Sequence, residues 1–265
     1  MNTAQIIDKA MVATEKAGAF LLESARKIQK SDIEVKGSND FVTYVDKTAE
    51  NMLLEELSSI LPGSSFIAEE SGISEKRGEF TWIIDPLDGT TNYIHHVPLY
   101  SISIGLMKGD ELVGGIIYEP NAKEMFHAVK GEGAFLNNSK IAVTQNPKMA
   151  DSLWATGFPY HQFEKLGEYM NFIAWSMQHT HGLRRLGSAA VDMAWVACGR
   201  LDGFFEFGLK PWDVAAGTIL IEEAGGKVTD FSGGDKHIFN QELIASNPYI
   251  YEEFFKNFHE IFFRK

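Results

Sequence analysis

Apolar residues recur every three to four positions in two N-terminal stretches, which is the spacing of an amphipathic helix. Residues 5–30 therefore predict a first helix, and residues 46–61 predict a second, which Pro62 and Gly63 end. The stretch between them, VKGSNDFVTYVD, is rich in turn-forming residues and predicts a loop or a short hairpin.

Short apolar runs bounded by turn residues follow, as expected of strands. SSFIAEE and FTWIID predict two strands, residues 101–120 predict a hairpin that turns at residues 108–110, and EMFHAVKGEGAFLN predicts two more strands. These strands and the two helices before them give the first half an α+β organisation.

The second half alternates helices and strands. Helices are predicted at residues 163–179, 188–199, 211–224 and 249–263, with strands at DGFFEFG, KVTDF and QELIAS. This alternation is typical of α/β proteins, so the fold class is α/β with an α+β first half. The pattern changes within residues 144–152, and we divide the chain there into residues 1–146 and residues 147–265.

Composition restricts the classes of function. The formal net charge of −12 argues against nucleic-acid binding through the general surface, which needs clustered Lys and Arg. Charged residues such as Asp8 and Lys9 interrupt the N-terminal stretch, and no apolar run approaches the roughly 18 residues of a membrane span. We therefore expect a cytoplasmic protein without a membrane or nucleic-acid partner. The single cysteine, Cys198, excludes an intrachain disulfide and a multi-cysteine metal site.

The stretch WIIDPLDGTTN brings two carboxylates to the end of an apolar strand. Asp85 directly follows the strand and Asp88 lies three residues later, although like charges so close repel each other. A cation between them would remove that repulsion. Gly89 lets the backbone approach a ligand closely, and N–H groups near Thr90 would face an anion if a helix began there. Carboxylates and N–H groups side by side suit a metal-bound phosphate.

Two further acids have a similar setting. Glu69 ends the apolar strand in FIAEESG, and Asp213 lies in the first turn of a predicted helix. Taken singly, Glu69 reads as a solvated loop acid and Asp213 as an acid favoured by the helix dipole. Together with Asp85 and Asp88 they supply oxygen ligands, which suit Mg²⁺, Mn²⁺ or Ca²⁺ rather than zinc. A structural Ca²⁺ site would explain these acids but not the glycine and threonines beside them.

Two signatures resemble those of the inositol monophosphatase family. DPLDGTTNY resembles its first signature, and KPWDVAAGTILIEEAGG resembles its second. Five blocks follow one another in the family's order: VTYVD, FIAEES, WIIDPLDGTTN, GSAAVDMAWVACGRLDGFFE and KPWDVAAG. The resemblance covers nearly the whole chain. It implies a layered α/β/α/β/α sandwich, a metal-dependent site between its two halves, and a homodimer.

The resemblance also implies roles for individual positions. The positions similar to the family's metal ligands are Glu69, Asp85, Leu87 (through its carbonyl), Asp88 and Asp213. The implied catalytic residues are Asp46 and Thr90, which orient the attacking water, together with Glu69. The implied substrate-binding positions are Lys36, Gly89, Thr90, Ser188, Ala189 and Glu206. Most metal ligands thus fall in the first half, and the second half carries Asp213 and most of the substrate positions.

The activity implied by the resemblance is Mg²⁺-dependent hydrolysis of a small phosphate monoester, inositol monophosphate. Two or three Mg²⁺ ions, or Mn²⁺ in their place, would clamp the phosphate and activate water, without a phosphoenzyme. Bound cations would also attract an anionic substrate to an acidic protein. A carboxylate at Glu206 suits inositol, sugar and ribose hydroxyls alike. Broad specificity, NADP(H) phosphatase activity and fructose-1,6-bisphosphatase activity therefore stay open.

Basic residues bear on that choice. Lys210 lies beside the expected pocket mouth, and Arg184, Arg185 and Arg200 are candidates for holding a second phosphate. Two such residues facing the pocket would favour a doubly phosphorylated substrate, whereas solvated surface charges would not affect specificity. An alternative of another class is a protein that retains the site but acts by binding a partner such as transcription machinery.

Overall fold

The computed structural model describes residues 1–28, 33–37, 40–74, 78–159 and 163–263. Within these ranges the chain forms eight α-helices, and the six longest confirm the predicted helices with ends shifted by a few residues. They are α1 (Thr3–Ala25), α2 (Tyr44–Ile60), α3 (Thr90–Ile94), α4 (Leu166–His179), α5 (Ala189–Ala197), α6 (Pro211–Glu223), α7 (His237–Asn240) and α8 (Pro248–Phe262). None of the helices in these ranges has the length and apolar character that a membrane span requires.

The stretch between the first two helices is a hairpin. Its strands, β1 (Ile33–Gly37) and β2 (Asp40–Thr43), pair antiparallel, and α2 begins directly after them. The Thr43 side chain accepts a hydrogen bond from the Val45 N–H at 3.0 Å, and the Asp46 carboxylate accepts one from the Thr43 N–H at 2.8 Å. This capping box fixes Asp46 in the first turn of α2.

A first sheet contains eight of the described strands. They are β3 (Ser65–Ala68), β4 (Gly72–Ile73), β5 (Phe80–Asp88), β6 (Ser101–Lys108), β7 (Glu111–Glu119), β8 (Glu124–Val129), β9 (Gly133–Leu136) and β10 (Ser139–Ile141). Their order is β10-β9-β8-β7-β6-β5-β3-β4, antiparallel except for the parallel pair β3 and β5. The predicted hairpin is confirmed as β6 and β7. The sequence did not predict β4 and β10, because elements of two or three residues show no periodicity.

A second sheet contains the other five strands of the described ranges. They are β11 (Leu153–Thr156), β12 (Gly182–Arg184), β13 (Gly203–Phe207), β14 (Lys227–Thr229) and β15 (Glu242–Ser246). Their order is β12-β11-β13-β15-β14, in which β11 is parallel to both neighbours and β15 is antiparallel to both of its own. The sequence did not predict β11 or β12.

Five layers alternate through the molecule. Helices α1 and α2 pack on one face of the first sheet, α5 and α6 lie between the sheets, and α4 and α8 cover the outer face of the second sheet. This order confirms the α/β/α/β/α sandwich. Burial of Phe254, Phe258 and Phe262 shows that the aromatic residues of α8 form a packing face. Each such side chain contributes about 1.5–3 kcal/mol through burial.

Helix α6 approaches the first sheet more closely than a side chain on the sheet would allow. A Cβ added to Gly105 of β6 would lie 2.8 Å from the Cβ of Ala215. A Cβ added to Gly115 of β7 would lie 2.6 Å from Cγ2 of Ile219 and 2.9 Å from the carbonyl oxygen of Ala216. The depth of α6 on the sheet therefore depends on these two glycines.

The other side and the N-terminal end of α6 are held as closely. A Cβ added to Gly217 would lie 2.6 Å from the Cβ of Met193 on α5. The Ser103 hydroxyl of β6 donates a hydrogen bond to the Trp212 carbonyl at 2.9 Å. The first turn of α6 is thereby tied to the strand that neighbours β5.

Gly115→Ala tests this packing. The added methyl group would collide with backbone atoms of α6, so we expect the free energy of unfolding to fall by about 1–3 kcal/mol. Urea denaturation followed by circular dichroism measures the change.

Gly167→Ala is the matched control. Gly167 lies in α4, and a Cβ there would meet nothing within 4 Å. The same substitution should leave stability unchanged or raise it by up to about 1 kcal/mol, since alanine favours helix. If both variants lost the same free energy of unfolding, the close packing of α6 against Gly115 would not be the cause of the loss.

Candidate active site

The carboxyl end of β5 carries the first acids of the site. Residues 82–84 are fully buried, and Asp85 is 2% exposed. The pairing of β5 with β6 shifts register between Asp85 and Asp88. Oδ1 of Asp85 accepts a hydrogen bond from the Leu87 N–H at 2.9 Å, which closes the turn between the two acids. The local irregularity brings Asp85, Leu87 and Asp88 to one cavity.

The turn after Asp88 requires glycine and begins a helix. Gly89 has φ +98°, and a Cβ there would lie 3.2 Å from the Gly187 carbonyl oxygen and 3.3 Å from that of Leu99. The short helix α3 begins at Thr90, which meets the condition under which N–H groups near Thr90 would face an anion. Gly89 and Thr90 both line the cavity.

Asp46 and Thr90, predicted as a pair, are in contact across 44 residues of sequence. The Thr90 hydroxyl lies 3.1 Å from Oδ1 of Asp46 and 3.1 Å from the Leu87 carbonyl oxygen, so its single proton serves one acceptor at a time. Oδ2 of Asp46 accepts hydrogen bonds from the N–H and hydroxyl of Thr43. Burial raises the pKa of Asp46, and these hydrogen bonds oppose the rise.

Glu69 is held in place by an acid that sequence reasoning missed. The Glu69 N–H donates to the Ile84 carbonyl at 3.2 Å, at the end of the parallel pair of strands. The next two N–H groups, of Glu70 and Ser71, both donate to the carboxylate of Glu50 at 2.9 Å. Glu50 lies in α2, is 2% exposed, and pins the loop that carries Glu69 into the cavity.

Asp213 is both a first-turn acid of α6 and a residue of the acid-lined cavity. Its Oδ2 accepts a hydrogen bond from the Lys210 N–H at 2.7 Å, as a first-turn capping acid does. Its side chain also lines the cavity with the acids of β5. Closure of α6 onto the first sheet brings it there.

The four acids repel one another at neutral pH. Burial raises the pKa of Asp85 well above its usual value, and the charges of Glu69, Asp88 and Asp213 raise it further. Burial and then the charge of Asp88 likewise raise the pKa of Asp213. A bound cation would reverse both effects, because it favours the charged form of each carboxylate.

The donor set fits a hard divalent cation in charge and chemistry. Carboxylate oxygens and the Leu87 carbonyl are ligands that Mg²⁺, Mn²⁺ and Ca²⁺ prefer. In the part of the chain that the structure describes, no three His, Cys, Asp or Glu side chains already converge as a metal cluster. Asp85, Asp88 and Asp213 each direct one oxygen to a protein N–H group.

One cavity of about 300 Å³ collects the predicted site. The predicted residues that line it are Glu69, Asp85, Leu87, Asp88, Gly89, Thr90, Ser188, Ala189, Glu206, Lys210 and Asp213. Asp46 adjoins the cavity through Thr90. The backbone of Lys36 lies in β1, and its side chain falls outside the described part of the chain.

The first and second halves of the chain meet at Asp88. Its Oδ2 accepts hydrogen bonds from the Ser188 hydroxyl at 2.6 Å and from the Ala190 N–H at 2.7 Å. Ser188 also caps α5 by accepting a hydrogen bond from the Val191 N–H at 3.3 Å. The wall formed by Ser188 and Ala189 is therefore fixed to the acid that ends β5.

Glu206 lies in β13 and lines the same cavity. It is 9% exposed, and burial raises its pKa to about 8 although the charge of Arg185 opposes the rise. A Cβ on Gly157 would lie 2.0 Å from the Glu206 carboxylate, so glycine is required beside this acid. A buried carboxyl group facing a cavity accepts hydrogen bonds from hydroxyl groups of a ligand.

The basic candidates divide into two groups. Arg185 and Lys210 line the cavity. Arg200 binds Glu124 through two hydrogen bonds of 2.6 and 2.5 Å, away from the cavity, and Arg184 is exposed and does not line it.

Asp192 is a cavity residue that the sequence interpretation missed. It lies one turn after Ser188 on α5 and is 2% exposed. An acid within the otherwise apolar run AAVDMAWVA was the available signal.

Comparisons with known proteins place this geometry in a family. The chain matches the model of the inositol monophosphatase family over residues 2–262. It is 39% identical over 251 residues to the inositol-1-monophosphatase of Mesorhizobium japonicum, covering 94% of each chain. It is 38% identical over 253 residues to the Nus factor SuhB of Escherichia coli, covering 95% of each.

A solved structure gives the same result. The crystal structure of extragenic suppressor protein suhB from Bartonella henselae matches with a TM-score of 0.91 and 37% sequence identity, covering 95% of this chain and 98% of that one. Membership over the whole length indicates a phosphatase. The chain belongs to the inositol monophosphatase family.

Proposed function

We propose that this protein is a Mg²⁺-dependent phosphomonoesterase that hydrolyses inositol monophosphate. One observation supports the proposal most: four acids suited to cations and the buried Glu206 line the same cavity. The phosphate would lie at the acid-rich end near Gly89 and Thr90, and the polyol would extend toward Glu206. Inositol-1-monophosphatase is the name of the Mesorhizobium japonicum relative, which is consistent with this assignment.

The residues that would hold Mg²⁺, or Mn²⁺, are Glu69, Asp85, Leu87, Asp88 and Asp213. We expect two or three ions per site, as the family resemblance implies. When bound, these ions supply positive charge that neutralises the phosphate and the leaving group and makes water a stronger nucleophile.

Asp46 and Thr90 would orient the attacking water. Thr43 occupies Oδ2 of Asp46, so Oδ1 is the atom that faces Thr90. When the Thr90 hydroxyl donates its proton to Asp46 Oδ1, its oxygen lone pairs are available to accept a hydrogen bond from water. The raised pKa of Asp46 suits a group that takes up a proton during the reaction.

A doubly phosphorylated substrate is a second candidate, and one observation favours it. Arg185 and Lys210 both line the cavity, so two cations face the substrate. Arginine binds phosphate with two parallel hydrogen bonds, which suits NADP⁺ or fructose 1,6-bisphosphate.

A partner-binding role is a candidate of another class, because the Escherichia coli relative is named a Nus factor. All four acids predicted as metal ligands line the cavity, which favours the enzyme. The homodimer stays a prediction.

Asp88→Asn tests the metal site. The amide oxygen can accept both hydrogen bonds that Oδ2 accepts, so the fold should survive. The amide nitrogen replaces the other carboxylate oxygen and cannot bind a cation. We expect Mg²⁺-dependent phosphate release to fall by about 100-fold or more. The unmodified protein should also gain several degrees in Tm on addition of Mg²⁺, and the variant should gain less.

Glu222→Gln is the matched control for charge. Glu222 is exposed on α6 and does not line the cavity, so its neutralisation should change neither turnover nor the Mg²⁺ effect on Tm. Loss of soluble Asp88→Asn protein with normal specific activity in the remainder would show that Asp88 is structural only.

Glu206→Gln tests recognition of the polyol. Since the pKa of Glu206 is about 8, the assay is run at about pH 9, where the group is an ionised carboxylate. We expect KM for inositol 1-phosphate to rise about 10-fold, because an amide accepts weaker hydrogen bonds from hydroxyls than a carboxylate does, with little change for phenyl phosphate. Initial rates of phosphate release give both constants. Equal effects on the two substrates would remove Glu206 from polyol recognition.

Arg185→Ala tests the second candidate. It should lower kcat/KM for fructose 1,6-bisphosphate or NADP⁺ by about 10-fold and leave inositol 1-phosphate nearly unchanged. Arg184→Ala is the control. Arg184 is the neighbour of Arg185 in sequence, but its side chain is exposed and does not line the cavity. The bisphosphate reading is wrong if Arg185→Ala affects mono- and bisphosphates alike.

A further inference from the structure

Asp192 is a buried acid whose carboxylate lacks a full set of partners. It is 2% exposed, and its Oδ1 is buried without a hydrogen-bond partner. Among the described residues it is the one carboxylate with such an atom. By contrast, the buried Asp202 accepts hydrogen bonds from the Thr144 hydroxyl and the Leu153 N–H, and Asp230 accepts from the N–H groups of residues 232 and 234.

Stabilisation of the N-terminus of α5 does not explain why Asp192 is buried. The N-cap position is filled by Ser188, and the Ala190 N–H donates to Asp88. An acid that served only the helix dipole would gain as much while remaining solvated, and it would avoid the cost of burial. Unsatisfied buried polar atoms are rare in folded proteins, so this acid calls for a donor from outside the chain. Because Oδ1 is enclosed, such a donor reaches the acid through its other oxygen, Oδ2, on the side that lines the cavity.

The position of Asp192 indicates where that donor comes from. Its side chain lines the same cavity as Glu206. After the larger effect of burial, the charges of Glu206 and Asp88 raise the pKa of Asp192, so both acids lie within electrostatic range of it. Arg185, at the cavity wall, opposes that rise. The cavity thus presents two buried acceptors, Asp192 and Glu206, within electrostatic range of each other.

We propose that Asp192 is a substrate-binding residue that works beside Glu206, each accepting a hydrogen bond from a different hydroxyl group of a phosphorylated polyol. A substrate with two neighbouring hydroxyls supplies both donors at once. A ligand with a single hydroxyl leaves one buried acceptor unsatisfied, and the enzyme discriminates against it. This inference rests on the proposed phosphomonoesterase activity and names the part of the substrate that the cavity selects.

The test compares Asp192→Ala and Asp192→Asn with the unmodified protein on three substrates, inositol 1-phosphate, its monodeoxy analogues and phenyl phosphate. We expect Asp192→Ala to lower kcat/KM for inositol 1-phosphate by about 10- to 100-fold, mainly through KM. Phenyl phosphate should change by no more than about twofold. Asp192→Asn retains an acceptor oxygen and should lose less than Asp192→Ala.

The analogues identify the hydroxyl. For one monodeoxy analogue, the effect of Asp192→Ala should disappear, and for a different analogue the effect of Glu206→Gln should disappear. The Tm of Asp192→Asn should equal or exceed that of the unmodified protein, because a buried acceptor without a partner destabilises the fold. Glu222→Gln, which removes the same charge from an exposed site, should change none of these readings.

The outcomes separate two kinds of failure. Equal loss on inositol 1-phosphate and phenyl phosphate, or a lowered Tm without a difference among analogues, would show that Asp192 is structural and overturn the inference alone. No phosphate release by the unmodified protein from any of these esters would overturn the proposed function, and this inference with it.

Discussion

The close packing of α6 between the two sheets is the constraint on which the site depends. Glycines at 105, 115 and 217 remove the side chains that would hold the helix away from its neighbours. Because the N-terminal turn of α6 is also tied to Ser103, the helix delivers Asp213 to the end of β5. A helix placed further from the sheet would leave Asp213 as an ordinary capping acid.

The cavity concentrates negative charge that the rest of the fold must support. Asp85 is buried and repelled by three other acids, which disfavours the folded state without a cation. The apolar cores on both sides of each sheet offset that cost through burial. Hydrogen bonds from Ser188 and Ala190 to Asp88 hold the two halves of the cavity together. The same acids that weaken the empty fold would bind a cation.

The cavity lining combines two kinds of chemistry. The lining includes acids suited to cations beside the turn at Gly89 and Thr90, and it also includes the buried acids Asp192 and Glu206, which can accept hydrogen bonds from a ligand. Relatives of similar identity are named both inositol-1-monophosphatase and Nus factor, so family membership alone does not define the substrate. Asp192, Glu206 and Arg185 are the residues at which specificity for hydroxyls or a second phosphate would be decided.

Local patterns in the sequence were sufficient for most of the helices, the β6–β7 hairpin and the acids that end β3 and β5. Periodicity and motif spacing report on neighbours along the chain, and the family signatures added the layered order. The sequence did not reveal that Glu50 holds the Glu69 loop, that Arg185 faces the cavity while Arg200 pairs with Glu124, or that Asp192 is buried without a full set of partners. Those facts depend on contacts between residues up to about a hundred positions apart, and only tertiary packing sets which side chains lose water and which partners they meet.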